Sequence, residues 1–256
     1  MRRLRRRLLR FLGIAVLAYV GICALMFFTQ RSLIYYPQSR ANRAGVPVMI
    51  LHTDAGPVLV STRPAPGPGA VIYFGGNAED VSLDLSDFSS AFPDDAIYLL
   101  HYRGYGGSAG KPSEQALFAD ALMLFDQVLA QHPNVILIGR SLGSGIAVKV
   151  ASERPIQRLV LITPFDSLTD AAAQAYPWLP VRLLMHDKYD SWKYAPHVTA
   201  PTRILTAGND EIIPRWSTER LRTRFKSGLA TYTVIPGVGH NSISDSPDYL
   251  RIIAKP

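Results

Sequence analysis

Apolar positions follow two different patterns along this chain. Residues 11–29 carry no charge, whereas from Ala70 onward short apolar runs alternate with stretches whose apolar residues recur at helical spacing. The first pattern predicts a helix of about 28 Å at ~1.5 Å per residue, close to the ~30 Å hydrocarbon core of a bilayer. The second predicts strands at 70–75, 95–101, 134–139, 157–163, 202–207 and 230–236, with helices at 79–91, 113–131, 142–153, 215–226 and 245–254. The 113–131 helix opens on Ser113 and repeats Leu117, Ala121, Leu124, Phe125, Val128 and Leu129 on one face. Strands separated by helices pair in parallel through right-handed crossovers. Two earlier strands, 46–53 and 57–63, have no helix between them and predict an antiparallel start. The Pro- and Gly-rich residues 64–69 read as a hairpin-like turn into the 70–75 strand. The predicted fold class is therefore α/β, a mostly parallel sheet with helices on both faces, behind one N-terminal transmembrane helix.

Charge sharpens the reading of the first segment. Six arginines lie among residues 1–10 and only Arg31 follows the apolar run closely. The positive-inside rule then puts residues 1–10 in the cytoplasm and the rest of the chain outside it, in the periplasm of a Gram-negative cell. A cleaved signal peptide has the same basic and apolar regions. No small-x-small cleavage site follows residues 11–29, which favours an uncleaved anchor, a linker at 30–45 and one domain over 46–256. Of the net charge of +7, removal of the six N-terminal arginines leaves +1, so the basicity belongs to topology and no nucleic-acid partner is implied. The single cysteine, Cys23, lies in the apolar run, which excludes an intramolecular disulfide and leaves the compartment open.

Candidate chemistry gathers at the carboxyl ends of the predicted strands. Asn134-Val-Ile-Leu-Ile-Gly-Arg-Ser-Leu-Gly-Ser-Gly145 is an apolar strand that breaks into a turn and opens a helix, with Gly139-x-Ser141-x-Gly143 at its centre. Such a turn lifts a serine hydroxyl clear of the sheet, needs Gly139 and Gly143 for close approach, and points the Leu142 amide at a developing oxyanion. A plain strand-to-helix turn is the alternative. Dinucleotide and P-loop glycine patterns are excluded, because Val148 stands where the first needs Gly or Ala and no Gly-Lys pair follows at the spacing of the second. After the 70–75 strand, Gly75-Gly76-Asn77 offers the Asn77 amide as a second oxyanion donor, although an Asn before a helix is also a common N-cap. Asp210 follows the 202–207 strand and His240 the 230–236 strand, in the order Ser, Asp, His, and Glu211 is the fallback acid. Each alone is commonplace; three together at strand ends favour a catalytic triad. Histidines 52, 101, 132, 186 and 197 show no close-spaced ligand pattern, so no metal or other cofactor is implied.

From Leu33-Ile-Tyr-Tyr-Pro37 to the C-terminus the chain resembles the membrane-anchored, short-lid serine hydrolases of the ABHD type. The most specific stretch is His101-Tyr-Arg-Gly-Tyr-Gly-Gly-Ser-Ala-Gly-Lys-Pro-Ser-Glu114, supported by Gly139–Gly145 and Asp210-Glu-Ile-Ile-Pro214. The resemblance implies an α/β-hydrolase fold, a triad of Ser141, Asp210 and His240, and hydrolysis of an acyl ester or thioester on a lipid or acylated substrate. It also implies a short lid at about 165–197. There Tyr176, Trp178, Leu183 and Leu184 are candidates for an acyl-chain pocket, or for simple packing on the sheet. One position departs, since such relatives usually carry His-Gly-Asn where this chain has Gly75-Gly76-Asn77. A peptidase or amidase, and a non-catalytic scaffold on the same fold, are the competing functions.

Overall fold

The computed structural model describes residues 2–41 and 46–255. It begins with one long helix, α1 (Arg2–Ile34), none of whose residues is buried. The apolar run is thus the middle of a helix that continues through the first third of the expected linker. Tyr35, directly after it, is buried at 3% exposure. The start of the expected linker is therefore packed against the domain, and its residues 42–45 lie outside the described residues.

Beyond α1 the elements are β1 (Val48–Thr53), β2 (Gly56–Arg63), β3 (Gly69–Phe74), α2 (Leu85–Ala91), β4 (Ala96–Leu100), α3 (Glu114–Leu129), β5 (Asn134–Arg140) and α4 (Leu142–Glu153). There follow β6 (Arg158–Ile162), α5 (Leu168–Ala175), α6 (Val181–Leu184), α7 (Ser191–Tyr194), β7 (Thr202–Ala207), α8 (Arg215–Arg222), β8 (Ala230–Ile235) and α9 (Tyr249–Ala254). The strands form one sheet in the order β1-β2-β4-β3-β5-β6-β7-β8, antiparallel at β1-β2 and β2-β4 and parallel elsewhere.

Three expectations change. The segment after β2 is not a hairpin turn, because β4 lies between β2 and β3. The reason is burial: β3 is covered on both faces along its whole length and takes a parallel neighbour on each side. The helix expected at 79–91 is divided into a 3-10 turn at Val81–Asp84 and the short α2. Asp80 starts that turn by accepting both the amide (3.1 Å) and the hydroxyl (2.7 Å) of Ser82. At the other end, Pro247 delays α9 to Tyr249.

Alternation along the strands divides the core in two. Ile72, Phe74, Leu137 and Leu161 pack under α3 and α4 on one face, while Val71, Tyr73, Ile138 and Val160 pack against α2 and α9 on the other. The carboxyl ends of β3, β5, β7 and β8 then open on the same side of the sheet, beneath the α5–α7 segment.

Candidate active site

Ser141 follows β5 at φ 49° and ψ −115°. A non-glycine residue there costs about 1–3 kcal/mol and persists only where its surroundings hold it. They do so through the backbone: the Ser141 amide donates to the Ile162 carbonyl at 2.9 Å, and its carbonyl accepts the Ser144 amide at 2.9 Å and hydroxyl at 2.6 Å. The turn leaves no space for side chains beside it. A Cβ on Gly139 would lie 2.4 Å from the Gly143 carbonyl oxygen, and one on Gly143 would lie 2.0 Å from that of Phe74. Leu142 is the first residue of α4, where an amide has no helical carbonyl in front of it.

The loops after β7 and β8 bring Asp210 and His240 to this serine. His240 Nε2 is 3.0 Å from Ser141 Oγ, and Nδ1 is 3.0 Å from both carboxylate oxygens of Asp210. The two side chains are only 5% and 10% exposed. Asp210 Oδ1 also accepts the Ile212 and Ile213 amides at 3.0 and 2.7 Å, which fixes the carboxylate before it meets the imidazole. With the Nδ1 proton directed at Asp210, Nε2 is left as an acceptor able to take the serine proton. Glu211, the alternative acid, accepts the backbone N–H of His240 at 3.1 Å and so braces the main chain of the histidine.

Facing Ser141 is the Gly75–Asn77 loop, and it is held by side chains from elsewhere in the chain. The Tyr102 hydroxyl donates to the Gly75 carbonyl at 2.7 Å, and the Tyr105 hydroxyl to that of Asn77 at 2.7 Å. Glu79 accepts the Gly76 amide at 2.7 Å and the Tyr73 hydroxyl, with Arg140 at 3.6 Å. Burial pushes the phenols of Tyr73 and Tyr102 well above their ordinary range, so both remain protonated donors. The Asn77 side chain donates to the Ile34 carbonyl at the end of α1 at 2.9 Å, and the Tyr36 amide returns a bond to the Asn77 carbonyl at 3.1 Å. The glycine that stands in place of a histidine has a local cause. A Cβ on Gly75 would meet Val81 at 2.5 Å and Glu79 at 3.2 Å, and Glu79 already ties the loop from that side.

Ser141, His240 and Asn77 border a cavity of about 510 Å³ that is otherwise mostly apolar. Tyr176 and Leu184 line it, together with Leu168 and Val181. Trp178 and Leu183 do not: they sit on the outer side of the segment, 54% and 86% exposed. Leu183 and Leu184 are neighbours in α6, where adjacent side chains point about 100° apart, so only one of them faces the cavity, and Trp178 lies in the turn before that helix. The opposite wall comes from α1, through Met26, Gln30, Leu33 and Ile34, residues that the sequence places in the membrane span or linker. Tyr102, Tyr105 and Glu79 were also missed as site residues. The first two fall in the His101–Glu114 stretch that carries the family resemblance, but nothing in their spacing indicates what their hydroxyls bind.

Residues 91–189 match the family described as Serine aminopeptidase, S33. An uncharacterized protein of Mycobacterium tuberculosis is 36% identical over 254 residues, covering 93% of this chain and 89% of that protein. Alpha/beta hydrolase domain-containing protein 17C of Xenopus tropicalis is 29% identical over 83% of this chain and 70% of its own length. Among solved structures, the esterase Pf2001 of Pyrococcus furiosus superposes with a TM-score of 0.69 at 14% identity, covering 86% of this chain and 94% of that one. Together with the sheet order and the turn that carries Ser141, these likenesses establish that the chain belongs to the α/β-hydrolase family.

Proposed function

We propose that this protein is a serine hydrolase that cleaves an acyl ester or thioester through an acyl-enzyme. Ser141 Oγ attacks the acyl carbon while His240 Nε2 takes its proton, and the Leu142 and Asn77 amides receive the tetrahedral oxyanion. His240 then protonates the departing alcohol or thiol, and water repeats the sequence to release the acid. Asp210 keeps the imidazole in the required tautomer and stabilises it when charged. The observation that carries this reading is the continuous contact from Asp210 through His240 to Ser141, each step 3.0 Å. A fluorophosphonate should label Ser141 covalently, and Ser141→Ala should abolish both labelling and esterase activity. A natively folded protein that takes up no label would instead support a scaffold role.

The family description favours a second reading, an aminopeptidase, and the cavity argues against it. An aminopeptidase must hold a substrate ammonium, yet the lining carboxylate, Glu79, is already committed to Gly76, Tyr73 and Arg140. The apolar walls suit an acyl chain better. We assign α1 to the membrane as an uncleaved single-pass anchor with residues 1–10 in the cytoplasm and the hydrolase domain outside it, on the strength of the arginines before the apolar run. A reporter active only after export, fused behind Pro256, should then be active; activity of a cytoplasmic reporter alone would reverse the orientation.

A further inference from the structure

The lid follows the anchor helix instead of covering the sheet alone. Near the end of α1, Arg31 Nε and Nη2 bind the two carboxylate oxygens of Asp187 at 2.9 and 3.2 Å, and the Tyr35 hydroxyl adds a bond to the same carboxylate at 3.1 Å. One residue back along the helix, Gln30 donates to the Leu184 carbonyl at 3.0 Å and accepts the His186 amide at 2.7 Å. Farther back, the Tyr19 hydroxyl donates to the Trp178 carbonyl at 2.9 Å. From Arg31 to Tyr19 is about 18 Å of helix at ~1.5 Å per residue, and Tyr19 lies about 15 Å inside the apolar run from its Thr29 end. If residues 11–29 cross a bilayer, the lid beside them is at the depth of the acyl chains.

The chemistry of the lid's outer surface fits that depth. Tyr176, Trp178 and Leu183 are half or more exposed and continue the bare apolar surface of α1. The one charge between residues 176 and 185, Arg182, is ion-paired with Asp170. In water such a surface is unfavourable, whereas in lipid it needs no further cover. Between α1 and the lid runs the cavity that leads to Ser141, with Met26 and Leu33 on one wall and Leu184 and Met185 on the other.

We infer that the lid is embedded in the bilayer alongside α1, and that the cavity receives its substrate, a membrane-resident lipid with an acyl chain, sideways from the leaflet between helix and lid. This rests on the proposed hydrolase chemistry for what happens at Ser141, but the embedding does not. The acyl chain lies between Met26, Leu33 and Leu184, and its carbonyl reaches Ser141 without passing through water. The anchor is on this account one wall of the substrate site as well as a tether, and the Arg31–Asp187 clasp holds that wall against the lid.

The full chain is reconstituted in phosphatidylcholine vesicles and assayed on two substrates, 1-oleoylglycerol carried in the vesicles and water-soluble 4-nitrophenyl acetate. Placing charges on the embedded surface with Trp178→Glu and Leu183→Glu together should lower the ratio of the oleoylglycerol rate to the acetate rate about tenfold or more. An unchanged ratio overturns the inference. Independently of catalysis and of that variant's folding, vesicles whose lipids are brominated in the acyl chains should quench the wild-type tryptophan emission more than that of Trp178→Phe. Equal quenching of the two proteins removes Trp178 from the bilayer and the inference with it. A wild type that is labelled by fluorophosphonate and cleaves the acetate but leaves oleoylglycerol intact overturns the substrate assignment and keeps the hydrolase. A folded wild type that takes no label sinks the hydrolase reading, and only the quenching result then stands.

Discussion

The two sides of the candidate active site are built by opposite means. The Gly139–Gly143 turn is held by main-chain contacts: the Ser141 amide and carbonyl bond to the backbone of Ile162 and Ser144, and two glycines pack where no Cβ fits. The Gly75–Asn77 loop opposite has little of its own to hold it and depends on Tyr102, Tyr105, Glu79 and the end of α1. The first side is local in sequence and tolerates no change of shape. The second is assembled from distant residues, so it can be loosened in steps and is open to influence from the anchor.

The largest effect should come from disarming the serine that the first side presents. Because members of a triad act as a unit, the proposed role of His240 means that His240→Ala should lower the rate on the order of 10⁴-fold or more, with unchanged thermal stability distinguishing lost chemistry from lost fold. The loop side should respond by degrees. Asn77→Pro removes the backbone N–H proposed as an oxyanion donor and should cost roughly 10²-fold in kcat. Asn77→Ala keeps that N–H and loses only the bond to Ile34, about 1 kcal/mol, which corresponds to about a fivefold decrease if the whole of it is felt in the transition state. Equal losses in the two variants would mean that the side chain, not the amide, does the work. Tyr105→Phe, which removes one hydroxyl from the Asn77 carbonyl, should fall in the same few-fold range.

The same contrast explains what could be read from the sequence. The parallel α/β sheet was legible because β3, β5 and β6 each carry an unbroken apolar run and are separated by helical patterns. The Ser141 turn was legible because its requirements, two glycines and a strand-to-helix break, lie within a few residues of one another. Asp210 and His240 could be placed only by their positions at strand ends, and only the fold shows the Asp210 carboxylate on the His240 ring and that of Glu211 on the His240 amide. The loop's supports span wide gaps in the chain: Tyr102 reaches Gly75 and Ile34 receives Asn77, and no periodicity links either pair. The strand order around β4 was missed for a related reason, since apolar alternation says which residues are buried but not which strand lies beside which. Trp178 and Leu183 were misplaced because a short apolar segment does not declare which of its sides meets the cavity.

The smallest effect concerns charge behind the loop. Asp84 ends the 3-10 turn and lies beside Glu79, with Oδ2 buried. Burial, and then the neighbouring Glu79 carboxylate, push its pKa from the ordinary 3.8 up to about 8. A carboxyl raised on folding stabilises the folded state fully below its unfolded pKa, and that contribution is lost as pH rises through the folded value. The window for Asp84 therefore runs from about pH 4 to about pH 8, and within it the wild type should lose stability as pH increases. Asp84→Asn leaves an uncharged group of the same shape beside Glu79, so the fall in Tm between pH 5.5 and pH 8 should be smaller in the variant. Other raised carboxyls, such as Glu114 and Asp166, contribute to the wild-type slope and remain in the variant, which is why the difference between the two profiles is the quantity to measure. Parallel profiles would show that Asp84 is already ionised at pH 5.5, with Arg140 shared between two carboxylates. Convergence at low pH and divergence toward pH 8 would show that the loop facing Ser141 rests on a protonated acid, a pH sensitivity for which the backbone-held turn on the other side has no counterpart.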